Sequence, residues 1–169
     1  SGAGKTTIVD VILGLLIPTQ GEVFIDCKNI EDTLPSWQRQ IGYIPQSIYL
    51  SDDTIRRNIA FGLPNEQIDD KQVWSVLSYA QLDEMVNSLP DKLDTFIGER
   101  GVRLSCGQRQ RIGIARALYH DPDVLIMDEV TASLDNETEY EIMQAVRRLS
   151  GKKTVIIIAH RLSTVKNCD

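Results

Sequence analysis

The chain begins with a glycine-rich turn that carries a lysine and two threonines, residues 1–7 with the sequence SGAGKTT. The turn matches the second half of the phosphate-binding pattern G-x-x-x-x-G-K-[ST], with Gly4 as its second glycine. Glycines let backbone N–H groups close around phosphate oxygens, and such a loop joins a strand to a helix whose positive end faces the anion. This one feature therefore predicts a site for the phosphates of a nucleoside triphosphate at the start of a helix.

The polar side chains of the turn have expected roles in holding a triphosphate. Lys5 reaches the β- and γ-phosphates as a point charge, and the Thr6 hydroxyl is a candidate Mg²⁺ ligand. Apolar residues recur at helical spacing behind the turn and predict a helix over residues 4–16: Ile8, Ile12 and Leu15. The alternative, a turn rich in glycine and serine that happens to hold a lysine, does not account for this helix.

Length and composition bound the class of protein. With 169 residues, of which 42% are hydrophobic and 25% charged, the chain can bury one sizeable core with a small second lobe. No apolar run approaches the roughly 20 residues of a membrane-spanning helix. The three cysteines include no C-x-x-C pair, which indicates a reducing compartment and argues against a disulfide framework or a zinc site.

The net charge of −6 argues against nucleic acid as a partner, because duplexes are bound by a basic face. A local basic patch is conceivable where three arginines lie close in sequence: Arg109, Arg111 and Arg116. We interpret them instead as a solvated helix face with arginines near phosphate.

Apolar runs and helical periodicity place the elements. Runs rich in β-branched residues, typical of strands covered on both faces of a parallel sheet, lie at 124–127 and 155–159, and shorter strand segments lie at 22–26 and 41–44. Helices are predicted from a cap at Asp69-Asp70 to Ala80, near 83–89, after 108 to Leu118, and over 136–149. The chain is therefore an α/β protein with an inserted helical lobe.

The apolar run at 124–127 leads into two carboxylates, and ligands of α/β sheets lie at this end of the strands. Asp128 suits the Mg²⁺ shell, and Glu129 suits polarising the water that attacks a γ-phosphate. The alternative, an N-cap pair in a strand-to-helix loop, is weaker in a chain that also carries a phosphate loop.

Polar residues follow two further predicted strands. Gln46 lies in a loop after Pro45, where its amide can ligate Mg²⁺ and orient water, and His160 lies just beyond the last apolar run. Each of them alone is more often a loop or structural residue. His120, near a helix end, is expected only to complement the helix dipole.

Taken in order, these segments resemble the nucleotide-binding domain of ABC transporters over essentially the whole chain. The segments that carry the resemblance are SGAGKTT at 1–7, Pro45-Gln46, LSCGQ at 104–108, Met127-Asp128-Glu129, Ser133-Leu134-Asp135 and His160. The LSxGQ element is the specific part, because ordinary P-loop kinases and GTPases do not carry it.

The resemblance implies ATP and Mg²⁺ as ligands and a P-loop NTPase core with a mostly parallel sheet and an inserted α-helical subdomain. The core would span 1–47 and 111–169, and the signature subdomain 48–110. Residues implied in ATP binding are Ser1, Gly2, Ala3, Gly4, Lys5, Thr6, Thr7, Gln46, Ser105, Gly107, Gln108 and Asp135. Catalysis is implied for Glu129, His160 and Gln46, and Mg²⁺ binding for Thr6, Gln46 and Asp128.

The resemblance also implies partners. Two such domains face each other head to tail, so that each ATP lies between the Walker A loop of one and the signature of the other, and hydrolysis reopens the pair. Segments typical of exporters include TFIGERG at 95–101, expected to touch the membrane domain, and those at 36–37, 41–46 and 58–62. The amino-acid sequence at 48–50 and 156–169 is similar to that of flippases of lipid-linked oligosaccharides.

These implications describe a longer protein. We expect the chain to be a soluble fragment at the cytoplasmic face of the cell (inner) membrane, with the transmembrane half fused upstream. Two cysteines depart from the family pattern, Cys106 in the signature and Cys27 at a turn glycine. If the signature position needs a positive φ or close phosphate approach, Cys106 costs about 1–3 kcal/mol and slows turnover.

Two other functions compete with transport. A non-transport ABC ATPase of DNA repair or translation disagrees with the acidic balance and with the short gap between Gln46 and Leu104, which leaves no room for a long coiled coil. A non-hydrolysing regulatory domain disagrees with the intact Glu129 and His160.

Overall fold

The computed structural model describes residues 4–130, 134, 136–149 and 151–159. Within these residues, short 3-10 turns at Asn65–Gln67, Lys92–Asp94 and Glu99–Gly101 accompany the regular elements. In chain order, those elements are α1 (Lys5–Ile12), β1 (Phe24–Ile25), β2 (Lys28–Asn29), α2 (Ile30–Arg39), β3 (Ile41–Ile44), α3 (Ile55–Ile59), α4 (Asp70–Tyr79), α5 (Asp83–Ser88), α6 (Cys106–Leu118), β4 (Val124–Asp128), α7 (Asn136–Arg147) and β5 (Thr154–Ile158).

The central sheet is parallel, with β4 lying between β3 and β5. Side chains of β4 alternate between two cores, because Leu125 and Met127 face the larger one while Ile126 packs with Val9 and Leu13 of α1 on the opposite face. A strand covered on both faces has no polar face to show, which explains the continuous apolar run. The predicted α/β class with a mostly parallel sheet is confirmed.

Helix α1 is shorter than predicted and turns a different face inward. It ends at Ile12 because Gly14, with φ 70°, closes a Schellman motif in which Leu15 N–H donates to the Asp10 carbonyl at 2.8 Å. Val9 and Leu13 are buried, whereas Ile8 and Leu15 are 60% and 64% exposed. The predicted helix over 4–16 was therefore wrong in its end and in its apolar stripe.

The inserted lobe between β3 and β4 is helical, as predicted. Asp69 caps α4 by accepting from the Lys71 N–H at 2.9 Å, and the predicted inward face of this helix is buried: Val73, Val76, Leu77 and Ala80. The predicted inward residues of α7 and its C-terminal flank are buried as well: Ile142, Ala145, Val146 and Leu149. Helices α2 and α3 were not predicted.

The three arginines of α6 do not form a solvated face, so that interpretation was wrong. Each is partly buried and donates to backbone carbonyls, Arg109 to Leu104 at 2.7 Å and Arg111 to Gln81 at 3.2 Å. Arg116 donates to the carbonyls of Tyr49 and Asn58, both at 2.7 Å. Burial lowers the pKa of Arg116. These guanidinium groups stabilise the lobe by joining helix α6 to the backbone of neighbouring segments.

The predicted strand at 22–26 is reduced to the two residues of β1, which pair antiparallel with β2. The turn between them holds Asp26 and Cys27 at φ 47° and 65°, so Cys27 occupies the left-handed region that a glycine would fill without strain. Among the described helices, none combines the length and apolar character needed to cross a bilayer.

Candidate functional site

A group of polar side chains meets where β3 and β4 end and α1 begins. Lys5 Nζ lies 3.5 Å from Glu129 Oε1, and Gln46 Nε2 donates to Glu129 Oε2 at 3.1 Å. Lys5 and Glu129 also act electrostatically on Asp128, the last residue of β4. We call Lys5, Gln46, Asp128 and Glu129 the sheet-edge cluster. Lys5 and Glu129, which lie 124 positions apart in sequence, thus share one site.

Asp128 is held in a place that disfavours its charge. Its side chain is buried, and burial first and the neighbouring Glu129 second raise its pKa, against the opposing effect of Lys5. Asp10 of α1 adds to the rise. A carboxylate with so little solvent and two acidic neighbours is suited to a cation that arrives with the ligand.

Glu129 takes a backbone conformation that costs energy. Its φ is 50°, in the left-handed region, and its N–H donates to the Ile158 carbonyl of β5 at 2.9 Å. For a residue with a Cβ, this region costs about 1–2 kcal/mol. This conformation ends the alternation of side-chain directions along β4, and it allows the Glu129 side chain to contact Lys5 and Gln46.

The start of α1 is suited to an anionic ligand. Gly4 is the N-cap at φ 76° and has no side chain to cap the helix, and the N–H groups in the first turn of any helix have no acceptor within that helix. Thr6 and Thr7 are exposed beside them. A phosphate is the kind of anion that such a helix start accepts.

The LSCGQ segment forms a separate structure at the start of α6. Ser105 Oγ accepts from the Gln108 N–H at 3.2 Å, and Gln108 Oε1 accepts from the Ser105 N–H at 2.9 Å, which makes a capping box. Gly107 is buried, and a Cβ added to it would lie 2.5 Å from Thr138 Cγ2, so a larger residue does not fit there without a shift. Among the described contacts of Ser105 and Gln108, none reaches the sheet-edge cluster.

Cys106 is not strained in the way that a positive φ would require. It is the first residue of α6, its φ is not in the left-handed region, and its side chain is exposed. The backbone part of the cost expected for this substitution is therefore absent.

Several predicted site residues lie outside the described residues, namely Ser1, Gly2, Ala3, Asp135 and His160. Two residues near the cluster escaped prediction. Both Asp10 and Tyr43 interact electrostatically with Asp128. The pKa of Tyr43 is raised by burial first, then by the carboxylates of Asp128 and Asp10. Asp10 lies five positions after Lys5 on α1, which is not a same-face spacing, so the sequence carried no signal for it.

Within the described part of the chain, no three His, Cys, Asp or Glu side chains form a metal-binding group. The sheet-edge cluster nevertheless offers oxygen donors of the kind that Mg²⁺ prefers, and Mg²⁺ is often held by one or two carboxylates together with substrate phosphates. The residues present fit an ion that is bound jointly with nucleotide.

The comparisons with known proteins agree with this site. A family model described as ABC transporter matches residues 1–132. An uncharacterized ABC transporter ATP-binding protein of Bacillus subtilis is 44% identical over 170 residues, and an ATP-dependent lipid A-core flippase of Cupriavidus metallidurans is 43% identical over 171 residues. Each of the two alignments covers 100% of this chain and 29% of the relative.

A solved structure of a bacterial Atm1-family ABC exporter with ATP bound matches with a TM-score of 0.88 and 38% identity. The match covers 99% of this chain and 29% of that chain, so the chain spans less than a third of the proteins it resembles. On this evidence, the chain belongs to the ABC transporter family, as an ATPase domain of the exporter type.

Proposed function

We propose that the sheet-edge cluster hydrolyses ATP, with Glu129 polarising the water that attacks the γ-phosphate. The observation that carries this proposal is the double hold on Glu129, by Lys5 at 3.5 Å and by Gln46 at 3.1 Å. A base needs a fixed position before its pKa matters. Both contacts place the carboxylate before ATP arrives, and the hydrogen bond from Gln46 remains when Lys5 turns to a phosphate. His160 completes the catalytic set in this proposal.

Binding of ATP falls to the residues around the start of α1. The loop Ser1, Gly2, Ala3 and Gly4 and the first turn of α1 offer N–H groups to the phosphates, while Lys5 supplies the positive charge. Thr7 adds a hydroxyl beside them. When ATP arrives, Lys5 exchanges its contact with Glu129 for a phosphate and leaves the carboxylate to water.

Mg²⁺ is the metal that suits this cluster. Thr6, Gln46 and Asp128 supply the hydroxyl, amide and carboxylate oxygens that would hold it, and the ion would neutralise developing charge on the phosphates. Because burial already raises the pKa of Asp128, a cation there relieves an unfavourable charge.

The second half of the site comes from another copy or a related domain. Ser105 and Gln108 form a capping box at the start of α6, with Gly107 buried beside it, and none of the described hydrogen bonds of this box reaches the sheet-edge cluster of the same chain. A helix N-terminus that faces outward suits the γ-phosphate held by a partner, and Asp135 would lie at the same interface. Loss of that phosphate then reopens the pair.

Transport by a fused membrane domain is the remaining part of the proposal. The relatives are named as a flippase and a multidrug resistance permease, and the chain spans 29% of their length. Tyr49, Phe61 and Phe96 are exposed apolar side chains on the lobe, and a membrane domain resting on the lobe at the cytoplasmic face could cover them. In this scheme, 1–47 and 111–169 form the ATPase core, and 48–110 form the signature subdomain.

The test compares two carboxylate-to-amide changes in the full-length protein. We expect Glu129→Gln to lower ATP hydrolysis by about 10²–10³-fold while ATP binding is kept, because the amide cannot polarise water. The variant should accumulate an ATP-bound dimer. Glu84→Gln, an exposed residue of α5, is the matched control and should hydrolyse ATP as the wild type does.

Equal hydrolysis by wild type and Glu129→Gln would remove Glu129 from the base role. An ATPase rate stimulated by nucleic acid would overturn transport in favour of the non-transport class.

A further inference from the structure

We propose that Gln110 is a positioning residue that links helix α6 to Glu129 through Gln46. This inference rests on the proposed ATPase function. It concerns how the start of α6, which would meet a partner's nucleotide, is connected to the base of its own domain.

The link consists of two hydrogen bonds in series. Gln110 Nε2 donates to the backbone carbonyl of Gln46 at 3.3 Å, and Gln46 Nε2 donates to Glu129 Oε2 at 3.1 Å. Gln110 fixes the main chain of Gln46, so it acts on the direction of the Gln46 side chain and not on Glu129 itself. The two residues lie 64 positions apart in sequence, so this contact joins the lobe to the sheet edge.

Gln110 is an unfavourable choice if its role were only to fill the core. It is 5% exposed, and its Oε1 is among the buried side-chain atoms of the described residues that have no hydrogen-bond partner. An unpaired buried acceptor costs free energy that a methionine or leucine of similar size would avoid. The described hydrogen bond of the Gln110 side chain is the one that it donates to the Gln46 carbonyl, so we assign the role of Gln110 to that contact.

The same face of α6 holds the loop beyond Gln46 at two more points. Gly113 lets Ile48 approach so closely that an added Cβ would lie 2.5 Å from Ile48 Cδ1. One turn further, Arg116 donates to the Tyr49 carbonyl at 2.7 Å. Because the loop is held at 46, 48 and 49 by successive positions of one helix, the loop follows any displacement of α6.

The consequence is a physical connection between the two halves of the site. Ser105 caps α6 at its exposed end, and Gln110 lies five residues along the same helix. A shift of α6 on meeting a γ-phosphate changes the Gln46 main chain and, through it, the hold on Glu129. Contiguous contacts of this kind are the physical basis of coupling, and a mutant cycle measures them.

The first experiment uses Gln110→Met in the full-length protein, with Gln72→Met as the matched control. Gln72 Nε2 also donates to a backbone carbonyl near the end of α6, that of Tyr119 at 3.1 Å, but it lies away from Gln46. We expect Gln110→Met to lower kcat by about 10–100-fold with KM for ATP within about twofold, since misplacement of a positioned group acts on the chemical step. Gln72→Met should change neither constant.

The second experiment places Gln110→Met in a Gln46→Ala background. If Gln110 acts through the Gln46 side chain, the double variant is no slower than Gln46→Ala alone. Losses in kcat that multiply would show an independent, merely structural role and would overturn the inference, as would an unchanged kcat in Gln110→Met. A wild type without ATPase activity would instead overturn the proposed function on which the inference rests.

A third variant covers the case in which Gln110→Met does not fold. Gln110→Asn keeps the amide but shortens the side chain by one methylene, so its donor no longer reaches the Gln46 carbonyl, which Gln110 contacts at 3.3 Å. We expect Gln110→Asn to lower kcat as Gln110→Met does, and a kcat equal to that of the wild type would contradict the inference.

Discussion

The sheet-edge cluster and the lobe around Arg116 differ in how well their polar groups are satisfied within the chain. In the lobe, Asn58 is fully buried, and its Oδ1 accepts from the Ser51 N–H at 3.0 Å and from Arg116 at 3.1 Å, while its Nδ2 donates to the carbonyls of Ser51 and Thr54. At the sheet edge, Glu129 is strained and Asp128 has a raised pKa.

The difference shows that unfavourable free energy is concentrated at the site, whereas the polar groups of the lobe stabilise the fold. Buried hydrogen bonds of the lobe stabilise the fold because every partner is inside the chain. The contact between Lys5 and Glu129 is long, at 3.5 Å, and the Lys5 side chain is 34% exposed, so a ligand can replace this contact at a small cost in free energy. A site that must exchange partners is built from weak contacts on a rigid support.

The largest expected effect comes from removing one cation on each side of this comparison. Arg116→Met leaves the backbone carbonyls of Tyr49 and Asn58 without this donor and removes one of the donors to Asn58 Oδ1, and we expect a loss of about 2–4 kcal/mol in the free energy of unfolding. Lys5→Met should cost less, about 1 kcal/mol, because the contact with Glu129 is long and the Lys5 side chain is 34% exposed. Urea unfolding without nucleotide measures both, and equal losses would break the comparison.

The next effect separates packing from phosphate approach at the signature. Gly107→Ala places a Cβ against the Thr138 methyl, and we expect it to destabilise the domain by about 1–3 kcal/mol. Thr138→Ser removes that methyl and should restore most of the stability in the double variant. If ATPase activity stays low when stability returns, Gly107 is also needed beside phosphate; if stability does not return, the packing role is wrong.

A smaller effect depends on pH. Burial and Glu129 raise the pKa of Asp128, so its stabilising contribution is present below the unfolded pKa and is lost as pH rises through the folded pKa. At pH 7, Asp128→Asn should therefore raise the nucleotide-free free energy of unfolding by about 1 kcal/mol, with no gain below about pH 4. Asp91→Asn, an exposed carboxylate, is the control, and a gain that is the same at all pH values would contradict this cause.

The smallest effect lies at the hairpin, away from both regions. Cys27 is exposed and has φ 65°, so Cys27→Gly relieves left-handed strain but adds chain entropy to the unfolded state. We expect a net gain of about 0.5–1 kcal/mol. Thermal melts measure it, and a destabilised Cys27→Gly would show that the strain is overestimated.

Prediction from sequence succeeded where the deciding contacts are local. The cap at Asp69, the inward face of α4 and the doubly covered β4 follow from residues within one element. For α1 the apolar pattern misled, because Ile8 and Val9 begin two competing stripes and only packing on Ile126 selects the second. The role of Arg116 was unpredictable, since its acceptors lie 58 and 67 positions away.

For the site, the motifs identified Lys5, Gln46, Asp128 and Glu129, which the structure brings together. They missed Asp10, Tyr43 and Gln110, whose proximity depends on how α1, β3 and α6 are stacked. Motifs report what touches a ligand, whereas supporting residues are visible only once the elements are placed.

The most direct test of the account is cross-linking between the phosphate loop and the signature across two copies. In full-length Glu129→Gln protein, Thr7→Cys is paired with the native Cys106, and Cys27 and Cys168 are replaced by serine. The account predicts an oxidised, cross-linked dimer when ATP occupancy is high, none without ATP, and none after Cys106→Ser. An ATP-loaded assembly in which Cys106 never cross-links to the phosphate loop of its partner would contradict it.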